Sequence, residues 1–327
     1  MFQSHRIKAW LATAALAGLT VSTPVLAQKT LSVAYPLSNF SHFGIAAQAF
    51  QDALEGQHSG FHVQQRPNTD GADPSAMLRS LQDGTLDMAV VPGNAVRDMV
   101  PQIEVFSLPY LFADLDHARR ALDGETGQKI LAELGHHDLV ALAWGDQGFT
   151  QVTNNQRPVR VPGDMQGMTV GIADNPLHKA TLQALGAKPV IQDWPRIVAD
   201  LRAGTLDGEV NPYAVLLPTR IWKEQKYASA TNMFYEPALI VMSAKTWAGL
   251  TPADQAKMRQ AAGKAAQDMR DFVSKIQIHD GATTLQAQGM QLNEVDRAAF
   301  VHATQAVYPA YVDIFGQALI DALRGTR

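Results

Sequence analysis

The chain has 327 residues, of which 46% are hydrophobic and 18% are charged, as in a globular protein with one large or two medium domains. Its formal net charge is −4, and no basic cluster is present, which argues against a nucleic-acid partner. The sequence has no cysteine, so disulfides, thiolate metal sites and cysteine nucleophiles are excluded.

The first segment has the pattern of an export signal. Arg6 and Lys8 precede an apolar run over residues 9–21, and Val25 and Ala27 fit the small-residue positions of a cleavage site. The run is too short for a membrane-spanning helix. The sequence therefore predicts a signal peptide over residues 1–27 and an exported mature chain that begins at Gln28.

The next part of the chain reads as a βαβ series. Strands are expected at 31–36 and 61–67, and the helix between them, 44–54, has its apolar residues on one face. A second helix has Asp73 as its N-cap and ends at Gly84, just before an apolar strand. This alternation predicts a mostly parallel sheet.

The same order returns later in the chain. A strand at 168–172 leads through Asn175 into a helix, and a strand at 188–192 follows. The segment "VADLRAGTLDGEV" then repeats the helix, glycine and strand order of the earlier "LRSLQDGTLDMAV". We therefore expect two similar α/β lobes rather than a solenoid, because only two copies are present.

One predicted helix is unusually long. It begins with Thr251 as the cap and Asp254 in the capping-box position, and its apolar residues, from Met258 to Ile276, recur at helical spacing. A helix of this length can lie against both lobes.

Catalytic and metal-binding signatures are missing from the sequence. It has no G-x-S-x-G elbow, no P-loop and no G-x-G-x-x-G. Its ten histidines include no pair at the spacing of a zinc protease, so neither a metal nor a cofactor is expected. A secreted enzyme on a two-lobed scaffold is the alternative of another class, and the missing constellation argues against it.

Five segments in order, 71–94, 106–124, 143–170, 185–190 and 206–212, resemble solute-binding proteins of tripartite ATP-independent periplasmic (TRAP) transporters. The resemblance runs from about residue 30 to 275. It implies an α/β, two-lobed periplasmic binding protein with crossing hinge strands and one long helix that spans both lobes. Lobe I would comprise 28–148 and 237–275, and lobe II would comprise 149–236 and 276–327.

The resemblance also implies a function. A periplasmic protein of this kind binds a small solute in an interlobe cleft and delivers it to membrane permease subunits without turnover. A sensory subunit that reports ligand occupancy to a receptor remains an alternative.

Two departures from the family pattern concern the ligand. Gly171 stands where the family motif G-L-K-I-R-V has an arginine that clamps a ligand carboxylate, and Thr150 stands where G-x-R-x-x-T-N has a second arginine. The asparagine of D-G-x-x-N-P is kept as Asn211. A charge-assisted hydrogen bond contributes about 1.5–3 kcal/mol, so the loss of both arginines predicts a neutral polyol-like ligand or an amine.

Aromatic, amide and acidic residues would line such a cleft. The further candidates are Trp144, Gln147, Phe149, Asp174, Asn175, Trp194, Tyr213 and Tyr235. In the alternative, the ligand is an ordinary small organic acid, held by backbone amides and by Arg196, which stands where the family has a glutamate. Arg196 as a solvated helix residue is the competing interpretation.

Overall fold

The structure is a computed structural model that describes residues 28–56, 59–68 and 73–326, so the predicted signal peptide and its cleavage site lie outside the described residues. The described strands are β1 Lys29–Pro36, β2 Phe61–Asn68, β3 Met88–Pro92, β4 Leu139–Asn154, β5 Thr169–Ile172, β6 Lys188–Ile191, β7 Gly208–Pro212, β8 Tyr227–Ala230, β9 Tyr235–Ser243 and β10 Gln291–Glu294.

The helices fall between and after these strands. They are α1 His42–Glu55, α2 Pro74–Asp83, α3 Leu115–Asp123, α4 Glu125–Ala132, α5 Pro176–Ala184, α6 Trp194–Ala203, α7 Tyr213–Leu216, α8 Ala244–Ala248, α9 Pro252–Lys275, α10 Gly281–Ala287, α11 Arg297–Thr304, α12 Tyr308–Phe315 and α13 Gln317–Arg324. Within the described part of the chain, no helix is long and apolar enough to cross a membrane.

One strand joins the two lobes. The sheet order is β2-β1-β3-β9-β4-β7-β5-β6, and β8 pairs with β4 and β10. The first part of the 16-residue β4 pairs with β9, and its last part, from Thr150 to Asn154, pairs with β7. The β1–β2, β1–β3, β5–β6 and β5–β7 pairs are parallel, whereas β4 and β9 are antiparallel to their neighbours. The two-lobed α/β fold is confirmed, and β4 is the strand that crosses between the lobes.

The helix signals in the sequence are confirmed. The Asp73 side chain accepts from the backbone N–H of Ser75 at the start of α2, and Gly84 ends the helix in the left-handed conformation at φ 77°. Thr251 caps α9 by accepting from the backbone N–H of Asp254.

Helix α9 connects the lobes. Its buried residues, among them Met258, Ala262 and Met269, pack against β-strand residues of lobe I. After Lys275 it widens into a π turn, Ile276–Asp280, and continues as α10, whose contacts lie in lobe II. The apolar face of this long helix therefore packs against both lobes, as the long periodic pattern predicts.

The end of the chain differs from the predicted lobe boundary. Residues after 276 were expected in lobe II, and Phe300 of α11 does lie in a lobe II core. Helices α12 and α13 instead pack on lobe I, where the Tyr308 hydroxyl donates to the Pro109 carbonyl at 2.8 Å. His117 of lobe I contacts the Leu323 carbonyl at 3.0 Å. The physical reason is that α12 and α13 present apolar side chains to the lobe I core, including Tyr311, Ile320 and Leu323.

Candidate functional site between the lobes

The carboxyl ends of strands from both lobes meet at the lobe boundary. Pro92, the last residue of β3, pairs with Ala238 of β9, and Ala238 in turn pairs with Gly145 of β4. Pro212, the last residue of β7, pairs with Thr150 farther along β4, and β7 runs antiparallel to β4. The two strands therefore end facing the other lobe, and this edge is where α/β proteins place ligands.

A cationic side chain of lobe I reaches lobe II at this boundary. Arg97 follows the 3-10 turn after β3, and its guanidinium donates to the backbone oxygen and to Oδ2 of Asp174, the latter at 2.9 Å. Glu104 lies on its other side, with 3.8 Å between Arg97 Nε and Oε1. Burial raises the pKa of Glu104 above its ordinary value, and Arg97 opposes that shift. Asp174, a predicted site residue, thus lies at the boundary and is bonded to a cation.

Buried polar atoms without partners lie next to this contact. Asn175 caps α5 by accepting from the backbone N–H of His178 at 3.0 Å, and its buried Nδ2 has no hydrogen-bond partner. His178 stacks on Phe234 and lies 3.0 Å from Glu236 Oε1, in a geometry that leaves both atoms without a hydrogen bond. Buried polar groups ordinarily form hydrogen bonds, so each of these atoms remains able to bond to a donor or an acceptor of another molecule.

Gln147 lies on β4, the strand that crosses between the lobes, next to helix α1. Its Nε2 donates to the Pro237 carbonyl at 3.3 Å, and its Oε1 is 3.3 Å from His42 Nε2. His42 Nδ1 lies 3.2 Å from the Ala214 carbonyl of lobe II. Burial lowers the pKa of His42 to about 4, so this ring is neutral at pH 7.

Two other predicted residues lie at lobe II strand ends. Asn211 is half-buried near the end of β7, and its Nδ2 donates to Glu209. Trp194 is the first residue of α6, which follows β6, and it is half-buried against the lobe II core. The structure therefore places Asp174, Asn175 and Asn211 at neighbouring strand ends, with Trp194 one strand farther out.

Gly171 and Thr150, the two positions where the family resemblance leads us to expect an arginine, are surrounded by packed side chains. A Cβ atom at Gly171 would meet Leu206 Cδ1 at 2.7 Å and two Ile197 carbons at 3.1 Å. Thr150 is buried, and its Oγ1 accepts from the backbone N–H of Phe234 at 3.2 Å. Gly171 has no side chain to offer a ligand, and the Thr150 hydroxyl is buried and already accepts a backbone hydrogen bond.

Arg196 lies on the exposed surface of α6. Its side chain is 65% exposed and its Nε donates to Asp200 Oδ2 at 3.0 Å, one turn along α6. This pair occupies only Nε of the guanidinium, so the alternative in which Arg196 reaches the cleft stays a prediction.

Four of the predicted aromatic site residues are buried in the cores of the lobes. Trp144 donates to the Gly127 carbonyl at 3.2 Å within lobe I, and Phe149 and Tyr235 contact each other edge to face in the same core. Tyr213 is buried against Gly281 and the lobe II core. These aromatic side chains are covered by residues distant in the sequence, which the sequence pattern does not reveal.

Sequence reasoning missed Arg97 and His178. Each stands a few residues after the end of a parallel strand, β3 or β5, and that position is the signal that would have found them. Over the described ranges, no group of three or more histidine, aspartate or glutamate side chains is placed to hold a metal ion.

Comparison with known proteins identifies the family. Residues 34–313 match DctP, described as bacterial extracellular solute-binding protein, family 7. The 2,3-diketo-L-gulonate-binding periplasmic protein YiaO of Escherichia coli is 29% identical over 293 residues, which cover 88% of each chain.

Two solved structures are also similar. A TRAP periplasmic solute-binding protein of Bordetella, with density assigned to pantoate, is 39% identical at a TM-score of 0.88 and covers 92% of this chain and 100% of its own. One from Polaromonas, bound to D-erythronate, is 30% identical at a TM-score of 0.86 and covers 91% of this chain and 98% of its own. All three relatives are named as solute-binding or solute-specific periplasmic binding proteins. The chain therefore belongs to the DctP family of bacterial extracellular solute-binding proteins, as a TRAP solute-binding protein.

Proposed function

We propose that this protein captures a small carboxylic acid that carries hydroxyl or oxo groups, and that it delivers the acid to the membrane subunits of a TRAP transporter. The proposed location is the periplasm, after cleavage near Ala27. The proposed site comprises Asp174, Asn175, Trp194 and Asn211 of lobe II together with the lobe I residues that face them.

The observation that carries the ligand class is the cluster of unpartnered buried atoms at the lobe boundary. Asn175 Nδ2 is a donor, and Glu236 Oε1 is an acceptor. A hydroxyl group both donates and accepts, so it matches such a mixed set better than an apolar or a purely cationic group does. Asn175 also heads α5, and a helix N-terminus favours a carboxylate by about 0.3–2 kcal/mol.

The relatives support an acid over the neutral or amine ligand that Gly171 and Thr150 suggested. Pantoate, D-erythronate and 2,3-diketo-L-gulonate, named for three of them, are all oxygenated carboxylates. Because Arg196 is bonded to Asp200, the proposed anchors are amide donors and the start of α5.

A thermal-shift screen of the chain from Gln28 onward tests the ligand class. Pantoate and D-erythronate are compared with their primary amides, with erythritol, and with a small amino alcohol. A ligand at a hundred times its dissociation constant adds about 2.7 kcal/mol of stability, which is readily measured. Stabilisation by acids alone supports the proposal. Stabilisation by the amides, erythritol or the amine alone contradicts it and returns the ligand to the neutral or cationic class.

A further inference from the structure

A buried carboxyl group lies two residues from Asn211 on β7. Glu209 is fully buried, its Oε1 accepts from the Thr153 hydroxyl at 2.6 Å, and its Oε2 accepts from Asn211 Nδ2. Its strand neighbours are Thr153 on β4 and Gly171 on β5. Gly171 is therefore the strand neighbour of a carboxyl group that has no cation beside it among the described residues.

No charged group faces Glu209 from the elements packed around it. Strand β4 presents Thr153, strand β5 presents Gly171, and helix α6 places Ile197 beside that glycine. The adjoining α7 contributes Tyr213, whose pKa burial raises to about 12, so it stays neutral near pH 7. Burial raises the pKa of Glu209 to about 7, and the hydrogen bonds from Thr153 and Asn211 oppose that rise.

The charge of Glu209 decides which end of the Asn211 amide faces away from it. An ionised carboxylate only accepts hydrogen bonds, so it accepts from Nδ2 of Asn211. Oδ1 of Asn211 then faces away from Glu209 and has no partner among the described residues. An outward oxygen accepts from a hydroxyl or an ammonium group and repels a carboxylate. A protonated Glu209 donates to Oδ1 instead, and the turned amide then presents Nδ2 to a carboxylate.

We propose that Glu209 is a positioning residue that sets the hydrogen-bonding polarity of Asn211, and that a solute carboxylate binds together with one proton taken up by Glu209. This inference rests on the proposed function, because it requires a carboxylate to contact Asn211.

The sign of the pH dependence follows from linkage. A bound carboxylate stabilises protonated Glu209, so affinity is highest below the pKa and falls as the pH rises above it. With a pKa of about 7, the dissociation constant of an acid that needs the protonated form rises about tenfold between pH 6 and pH 8. Pantoate and D-erythronate remain ionised throughout that interval, so the ligand does not contribute to the change.

Isothermal titration calorimetry of the mature chain with pantoate or D-erythronate, at pH 6, 7 and 8 in buffers of different ionisation enthalpy, measures both affinity and proton uptake. We expect uptake of close to one proton per ligand at pH 8 and of almost none at pH 6. In Glu209→Gln, which keeps a donor beside Asn211, we expect no uptake and an affinity that is the same at all three pH values. Glu294→Gln, on β10, is the matched control and retains the wild-type pH dependence.

The outcomes separate this inference from the proposed function. Acid binding without proton uptake by the wild-type chain overturns the role of Glu209 and leaves the ligand class intact. Uptake that persists in Glu209→Gln also overturns it. Absence of acid binding even at pH 6 refutes both proposals. The wild-type uptake measurement stands by itself if Glu209→Gln does not fold.

Discussion

Arg97 of lobe I holds Asp174 of lobe II by two hydrogen bonds, one to the backbone oxygen and one to the carboxylate. The Arg97 side chain is 19% exposed and that of Asp174 is 62% exposed. Because this contact joins the two lobes, we expect it to be lost if the lobes move apart.

Removal of this contact should favour the open form. In Arg97→Gln we expect the closed state to lose about 1 kcal/mol of stability, a small value because Asp174 is well solvated. Ligand binding should therefore weaken by about fivefold. Small-angle scattering of the ligand-free chain should show a larger radius of gyration. Arg79→Gln, which breaks an exposed lobe I pair with Asp73, should change neither quantity. An unchanged radius of gyration in Arg97→Gln would show that the pair does not hold the lobes.

Two substitutions at Asn175 distinguish its helix-capping oxygen from its Nδ2 donor, which has no hydrogen-bond partner. Asn175→Asp keeps an oxygen to accept from His178 N–H but removes the Nδ2 donor, so we expect wild-type stability and weaker acid binding. Asn175→Ala should also lose about 1 kcal/mol of unfolding free energy, measured by urea titration. Full acid affinity in Asn175→Asp would remove this residue from the proposed site.

Gly171 should not tolerate a larger side chain. A Cβ atom there meets Leu206 at 2.7 Å, so we expect Gly171→Ala to lose roughly 1–2 kcal/mol of unfolding free energy. Gly163→Ala is the matched control, because nothing lies within 4 Å of its added Cβ. If urea titration gives the two variants equal stability, Leu206 and Ile197 yield readily and an arginine at position 171 would fit.

His42 should make the protein sensitive to acid. Its pKa is about 4 in the folded chain against 6.5 in the unfolded chain, so the folded state binds fewer protons. Its contribution to stability is complete above pH 6.5 and decreases by roughly 3 kcal/mol as the pH falls to 4. The difference in unfolding free energy between pH 6.5 and 4 should be smaller in His42→Asn than in wild type or in the exposed-residue control His136→Asn. Equal differences in all three proteins would assign the acid sensitivity to other groups.

Arg119 should stabilise the hinge strand. Its Nε donates to the fully buried Asp146 at 2.7 Å, and its other nitrogens donate to Ser274 and the Arg270 carbonyl of α9. In Arg119→Met we expect a loss of about 3–5 kcal/mol of unfolding free energy, because Asp146 would remain buried and unpaired. Addition of Asp146→Leu should recover part of that loss. A double variant less stable than the single one would contradict this account.

Much of the fold was readable from the sequence because it depends on local signals. The caps at Asp73 and Thr251, the left-handed Gly84 and the two copies of the helix–glycine–strand segment specify element boundaries through neighbours in the chain. The ordered motifs identified the family, and the family implied the crossing strands.

The candidate site was predicted only in part, because its residues come together across the lobes. Asp174 and Asn175 were selected from their position at a strand end and Asn211 from the family motif. The pairing of Arg97 with Asp174 spans 77 residues of chain and leaves no local pattern. Burial of Tyr235 and Trp144 depends in the same way on segments distant in sequence.

The sequence by itself determined the family and the two α/β lobes, and it led us to expect that Thr150 and Gly171 replace family arginines. Only the tertiary structure decided what fills those positions, which lobe the last two helices join, and which polar atoms remain unpartnered. Periodicity and caps act over a few residues, whereas packing and the pKa of a buried carboxyl such as Glu209 depend on atoms that folding brings together.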